Sequence, residues 1–407
     1  MPDRLPLGVW LYDERVAELA SAGPGLISCT YTDRARARWP GGLPLLSCSL
    51  PVRARRYPDA HPYFRGLLPE GRALQAMADL ARVPTFDSFG MLARFGRDVA
   101  GALVITEDAP LDRPGEARVY TPAQLDDEIA DLDDHPLALH DDSELSLAGL
   151  QNKLLLVATP DGWARPIGGR PSTHILKVED RRYPGLVTFE AECLRLARAV
   201  GLTTIAADVT THSGIDCLIV SRFDRRQVDG TVERIHQEDA CQALGRDPDA
   251  DERRGKYESA GGPSLVEIAT ILDRYSADPL TELRRLVEVV TFTVAIGNSD
   301  AHGKNISFLH PQPGVVELAP LYDTVPTALW PQLPDRAAMT VAGHSRLSDV
   351  TLDDIVTEAT RWHLDPSVAR ATALELLERL HEALEEQDVG EPLSELVERR
   401  CHVLSAR

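Results

Sequence analysis

Asp300 and Asn305 stand five residues apart in GNSDAHGKNISF (297–308), and Asp323 follows eighteen residues after Asn305 in LAPLYDT (318–324). An Asp at such a position can orient or deprotonate an acceptor hydroxyl. A neutral amide and a second carboxylate offer hard oxygens to Mg²⁺ held between phosphate groups. The chemistry this spacing suits is phosphoryl transfer. Taken alone, D-x-x-x-x-N also arises in Asx-rich polar turns that do no chemistry, so the segments that precede it decide how it is read.

Protein kinases use the same five-residue Asp/Asn spacing and place a second metal-binding Asp downstream. Ahead of it they require a phosphate loop, a strand lysine and a hinge strand, and this chain offers a counterpart for each in that order. The loop counterpart is 146–153 (Ser146, Leu147, Ala148, Gly149, Leu150, Gln151, Asn152, Lys153). With one glycine it fits neither G-x-G-x-x-G nor G-x-x-x-x-G-K-[ST], and by spacing alone it reads as a β-turn. Lys177 lies in the apolar strand context PSTHILKVE. An isolated strand lysine is ordinarily solvated; in a nucleotide cleft it would contact the α/β-phosphates and pair with a helix carboxylate, Glu190 first and Glu192 second. Ser221, Arg222 and Phe223 close the hinge-like strand. His302 could ligate a metal, but without partner histidines a catalytic-loop hydrogen bond or phosphate contact suits it better.

Other chemistries lack their signatures. There is no H-E-x-x-H, GHSRL (343–347) lacks the closing glycine of a nucleophile elbow, and the six cysteines contain no C-x-x-C pair, which predicts buried reduced thiols.

The elements that must position these residues fall into two textures. From Leu145 the runs LSLAGL, KLLLVAT and HILKVE, separated by turns at Asp161-Gly162 and Gly168-Gly169, predict a small antiparallel sheet, which DCLIVSRFD completes. Between them, 190–200 has helical periodicity with Gly201 placed to cap it. After residue 235 helices dominate: QEDACQALG, SLVEIATILDRY, LTELRRLVEVVTFTVAIG and the amphipathic 365–387. A strand-rich lobe followed by a helix-rich lobe is an α+β arrangement with a natural cleft. The expected divisions are a compact amino-terminal unit at 1–106, an acidic connector with one short helix at 107–144, a strand-rich lobe at 145–228 and a helical lobe at 229–407.

The chain has 407 residues, 43 Lys+Arg against 63 Asp+Glu, a net charge of −20 and a pI near 5.0. Such a balance excludes a protein that coats nucleic acid. The acidity is local, however. Residues 107–144 hold thirteen acidic residues and two arginines, 375–400 hold nine against three, and 1–106 is mildly positive with thirteen basic against ten acidic. The start, MPDRLPLGVWLYDE, has no signal-peptide pattern, and the most apolar later stretch, 286–297, is too short to span a bilayer. A cytoplasmic location and no membrane partner are the expectation.

These segments together resemble the HipA family, the toxin kinases of bacterial HipA/HipB toxin–antitoxin modules. The resemblance is carried by FRGLLPEGR (64–72), ARFGRDVAGAL (93–103), SLAGLQNKLLL, PSTHILKVE, SRFDR, RIHQEDACQALG, KYESAGGP, NSDAHGKNISF and LAPLYDT, in the family's order from 64 to about 324. It implies an atypical two-lobed, protein-kinase-like α+β fold with an amino-terminal β-rich subdomain. The implied activity is that of an ATP- and Mg²⁺-dependent Ser/Thr protein kinase, held inactive by a HipB-type DNA-binding antitoxin. Any contact with DNA would then be minor or through that antitoxin. By resemblance Asp300 is the catalytic Asp, Asn305 and Asp323 hold Mg²⁺, Lys177 holds the ATP phosphates, 146–153 covers them, and Ser146 is an inhibitory autophosphorylation site. Family targets include aminoacyl-tRNA synthetases, glutamyl-tRNA synthetase among them. The hinge departs from the family: Ser221 stands where Glu is usual, which leaves backbone contacts at 221–223 for the adenine. Two other readings share parts of this pattern, a small-molecule phosphotransferase of kinase-like fold and a catalytically silent antitoxin-binding co-repressor.

Overall fold

The computed structural model describes residues 4–107, 109, 115–140, 142–148, 151–228 and 231–405. The chain forms two compact units, residues 1–178 with 210–238 and residues 179–209 with 239–407. The strand-rich segments and the amino-terminal region thus share one unit, and the chain crosses between units near 178, 209 and 238 instead of once near 228.

In the first unit, strands Leu26–Tyr31, Glu14–Gly23, Leu7–Leu11 and Leu103–Thr106 form an antiparallel sheet in that order. Alternate residues Leu7, Val9 and Leu11 turn to the core, as the two-residue period of a strand requires. Helices Gly71–Ala81 and Ser88–Phe95 lay Leu74, Met77, Phe89, Leu92 and Phe95 on the same core. Burying each such side chain contributes about 1.5–3 kcal/mol.

A second sheet has the order Glu116–Val119, Gly162–Ile167, Lys153–Thr159, His174–Val178, Ile215–Ser221, Ala207–His212. The run Leu154–Val157 is buried throughout, as a central strand covered on both faces must be. The acidic stretch is part of this fold. Glu116–Val119 pairs with Gly162–Ile167 at the sheet edge, and helix Pro122–Ala130, begun by a Thr121/Gln124 capping box, buries Leu125 and Ile129 against Leu154, Leu156, Leu176 and Ile219. Of its carboxylates only Asp127 is left to solvent; Asp126 pairs with His212 and Ser213, and Glu128 with His140. LSLAGL forms no strand over its described residues. Leu145 makes one bridge with Asp98, and the Ser146 amide donates to the Asp98 carbonyl at 2.9 Å.

The second unit is built on helix Pro279–Ile296, capped at its start by Asp278 and closed by Gly297 in the left-handed region, φ 69°. Leu286, Val287, Val290, Phe292 and Val294 of this helix are buried. Helices Leu186–Ala199, Leu265–Tyr275, Leu352–Thr360, Pro366–Glu386 and Glu391–Ser405 complete the unit, with hairpins Ser307–Gln312/Val315–Leu318 and Arg336–Val341/His344–Arg346. QEDACQALG is one short turn of helix, Ala240–Ala243, because Asp239 caps it through Gln242 and Gln237–Asp239 is extended. No disulfide joins any of the six cysteines, and five of them are buried. No helix among the described residues is long and apolar enough to cross a membrane.

Candidate active site

Asp300 lies in the loop after Gly297, and its side chain is exposed where an acceptor could reach it. The loop is fixed from within: the Asp300 amide donates to Asn298 Oδ1 at 3.1 Å, and the His302 amide donates to the Asp300 carbonyl at 2.8 Å. Asn305 Nδ2 donates to the Asp300 carbonyl at 3.2 Å. That bond engages the amide nitrogen and not Oδ1, a hard oxygen of the type Mg²⁺ prefers. Asp323 sits at φ 50°, a conformation that costs an L-residue energy unless its surroundings impose it. They do. The neighbouring Tyr322 hydroxyl donates to the Lys304 carbonyl at 2.6 Å and lies 2.6 Å from Ser307 Oγ, which ties the Asp323 segment to the Asp300–Asn305 loop. Thr327 adds a second tie, accepting from the Ser299 amide at 2.7 Å and donating to the Gly297 carbonyl at 3.0 Å.

Beneath the loop lie residues that motif reading missed. Lys304 Nζ is 3.0 Å from Asp239 Oδ2 in a buried ion pair, and Asp239 also caps Ala240–Ala243. The Ala240 amide donates to the carbonyls of Gly303 and Ile306. A Cβ on Gly303 would lie 2.5 Å from Pro263 Cγ and 2.9 Å from Cys241 Sγ, so only glycine fits there. His302 is buried and meets the Tyr257 ring edge to face, centroids 5.3 Å apart. The opposite charges of Asp239 and Lys304 were the available signal, but they lie 65 residues apart.

In the first unit Lys177 and Lys153 are direct cross-strand partners, so both side chains leave the same face of the sheet, and both are largely buried. Lys153 Nζ also donates to the Ala148 carbonyl at 2.8 Å, which folds the start of the 146–153 segment over the strand end. Ser146 is fully buried with its Oγ donating to the Leu67 carbonyl at 2.9 Å. Gln151 Nε2 donates to the Val178 carbonyl, and Asn152 Nδ2 to Asp133 Oδ1 at 2.7 Å. Gly149 and Leu150 lie outside the described residues.

The Arg222 side chain is committed within the fold. Its guanidinium is buried against Asp224 at 2.7 Å and Ser172 Oγ at 2.7 Å, and its amide donates to the Thr173 carbonyl. It belongs to a buried ionic hub with Asp98, Asp224, Arg225 and Arg234. Asp98 meets Arg225 at 2.9 Å, Arg234 at 3.3 Å and the Ser172 hydroxyl at 2.7 Å. Burial alone would raise the Asp98 carboxyl, but Arg225, Arg234 and Arg222 outweigh it and hold it below its usual value. Burial likewise opposes ionisation of Asp224, and Arg222 and Arg225 again outweigh it and hold the carboxyl well below its usual value. Burial brings Arg234 down to about 10. The hub joins GRDVAG to SRFDR, two segments that sequence reading treated as separate motifs. Of the two helix carboxylates considered for Lys177, Glu192 is engaged locally: burial raises its carboxyl, while the Gly390 amide and Arg195, 4.0 Å away, act in the opposite direction. Glu190, two residues earlier on the same helix, is buried.

Comparison with known proteins agrees with this architecture along the chain. Residues 7–106 match the HipA N-terminal domain, and residues 145–387 match the HipA-like C-terminal domain. The "Putative kinase Y4mE" of Sinorhizobium fredii is 36% identical over 388 residues, covering 93% of this chain and 90% of that protein. The serine/threonine-protein kinase toxin HipA of Shewanella oneidensis is 29% identical over 283 residues, 68% of this chain and 65% of that one. The solved HipA of Shewanella oneidensis, in complex with HipB and its operator DNA, shares the fold with a TM-score of 0.79 at 24% identity, over 98% of this chain and 95% of that one. The chain belongs to the HipA family of kinases.

Proposed function

We propose that this chain transfers the γ-phosphoryl group of ATP to a serine or threonine of a protein, as the toxin of a toxin–antitoxin pair. The observation that carries the reading is the Asp300–Asn305 loop stitched to the Asp323 segment through Tyr322 and Thr327. Asp300 orients and accepts the proton of the acceptor hydroxyl. Asn305 Oδ1 and the Asp323 carboxylate are the oxygens that would hold Mg²⁺, which when bound neutralises charge on the phosphates. Lys177 and Lys153 bind phosphate oxygens from one row of the sheet, and the 146–153 segment covers them. With the Arg222 side chain committed to the hub, adenine contacts fall to the backbone of Ser221 and Phe223.

Ser146 is the proposed site of inhibitory autophosphorylation. A phosphate adds about −1.5 to −2 charge at an oxygen that is now fully buried against the Leu67 carbonyl. Such a group cannot be housed there, so the modified segment must leave and take its phosphate contacts with it. Likeness to the Shewanella protein suggests a HipB-type antitoxin as partner, and the family suggests an aminoacyl-tRNA synthetase as substrate. The test is incubation with Mg-ATP followed by intact mass and peptide mapping. A gain of about 80 Da (one phosphate) on Ser146, formed about a hundredfold or more slowly in Asp300→Asn, is expected; labelling of Asp300→Asn at the parent rate sinks the assignment.

A further inference from the structure

The Tyr257 hydroxyl donates to Asp300 Oδ1 at 2.8 Å, a contact that none of the roles assigned above uses. We infer that Tyr257 is a positioning residue for the transfer, occupying one carboxylate oxygen of Asp300 so that the other faces the acceptor hydroxyl. The inference rests on the kinase reading of Asp300.

Tyr257 is built to hold a fixed place. Its amide donates to the Arg254 carbonyl at 2.8 Å, and its own carbonyl accepts from the Ala260 and Gly262 amides, both at 2.9 Å. Gly262 is crowded onto this turn: a Cβ there would lie 2.6 Å from the Lys256 carbonyl carbon and 2.8 Å from the Tyr257 amide nitrogen. The turn is in turn joined to the catalytic loop by the Gly303 amide, which donates to the Lys256 carbonyl at 3.0 Å, and to the Arg336–Val341 strand by Glu258, which accepts from the Thr340 amide at 2.6 Å. The ring packs edge to face on His302 at an interplanar angle of 88°. The phenol therefore arrives at Asp300 from a rigid support, while the Asp300 side chain is the exposed one on a loop otherwise mostly buried.

A carboxylate on such a loop rotates about its side-chain torsions. A charge-assisted hydrogen bond from a neutral donor narrows that rotation without neutralising the charge. Proximity effects are steep, and small misplacement of a reacting group costs large factors in rate. The phenol also cannot itself take up the proton removed from an acceptor, since it already carries one. Its contribution is direction.

The experiment is single-turnover phosphorylation from radiolabelled Mg-ATP by the full chain, comparing Tyr257→Phe, Asp300→Asn and the double variant. Phe keeps the ring on His302 and removes only the hydroxyl. The expected result is a fall of about tenfold in the rate of Tyr257→Phe, the size of losing one hydrogen bond to a charged group. The KM for ATP should stay within about twofold, as for an interaction made in the transition state. In the Asp300→Asn background the same change should cost nothing further. Tyr257→Gln, which keeps a donor on a flexible stem, should recover part of the rate. A Tyr257→Phe rate equal to the parent overturns the inference, and so does a tenfold loss that persists in the Asp300→Asn background, which marks a merely structural role. A parent chain that fails to label overturns the kinase reading itself, and Tyr257→Phe bears on the finer point only where the parent labels.

Discussion

Replacing Asp98 with Asn tests the hub that joins the amino-terminal sheet to the SRFDR segment. Asp98 Oδ1 meets Arg225 and Arg234, and Oδ2 accepts from both the amide and the hydroxyl of Ser172 at 3.0 and 2.7 Å. With Asp224 it balances Arg222, Arg225 and Arg234 in a region where the Arg222, Arg225 and Asp98 side chains are almost wholly buried. The amide keeps the shape but removes one of two negative charges facing three positive ones. Leaving a buried charge uncompensated costs about 3–5 kcal/mol. At roughly 2–4 °C per kcal/mol for 150–250 residues, the melting point of this unit should drop by about 6–20 °C. Tryptophans occur in both units, so amide exchange by mass spectrometry is the better assay, with peptides from Leu103–Thr106 and His174–Val178 reporting the first unit. Adding Arg225→Met should recover part of the loss, because it removes one of the surplus charges. A change below about 0.5 kcal/mol, the range of ordinary surface substitutions, would refute the reasoning and mean that water reaches the hub.

Acid should act through the same carboxylates. Asp98 and Asp224 titrate below their usual value when folded; their stabilisation is therefore complete above the unfolded value of about 3.9 and is lost as pH falls through the folded values. The first unit should begin to lose exchange protection below about pH 4, and Asp98→Asn should flatten that dependence. Gly303→Ala forces a Cβ onto Pro263 and Cys241 and should abolish labelling from ATP while helix Pro279–Ile296 keeps its exchange protection. Ser146→Glu places a charge where none can be buried and should weaken Mg-ATP binding at least tenfold by calorimetry, whereas Ser146→Ala, losing one hydrogen bond worth about 1 kcal/mol, should bind ATP and lose only the label.

What could be read from the chain follows from how far apart interacting residues lie. The Asp300/Asn305 loop and the central strand around Leu154–Val157 are local patterns, a fixed spacing and a continuous apolar run, and both stand where the sequence placed them. The acidic stretch reads as a connector with one short helix; the helix is there, and what a composition count does not register is that its two buried apolar residues and strand Glu116–Val119 join it to the sheet. The ionic hub around Arg222 was out of reach of motif reading for another reason. Its partners Ser172 and Asp98 are 50 and more residues away, and the pairing of SRFDR with GRDVAG is a fact of topology that no local spacing encodes. The same holds for Lys304 with Asp239 and for Tyr257 with Asp300, 65 and 43 residues apart.

Lys153, Lys177 and Lys304 are all buried, yet in different settings. Lys304 pairs inside the fold with Asp239, which also caps a helix. Lys153 and Lys177 stand opposite each other in one row of the sheet, and like charges so placed are unfavourable on their own. Lys153 lends one proton to the Ala148 carbonyl, a neutral acceptor that leaves the ammonium charge in place. An ammonium has three donors, so a phosphate oxygen can be taken up without giving up that contact. The register of the two strands, not the glycine count of the 146–153 segment, is thus what sets two ammonium groups side by side next to this loop, and the proposed phosphate contacts rest on that row.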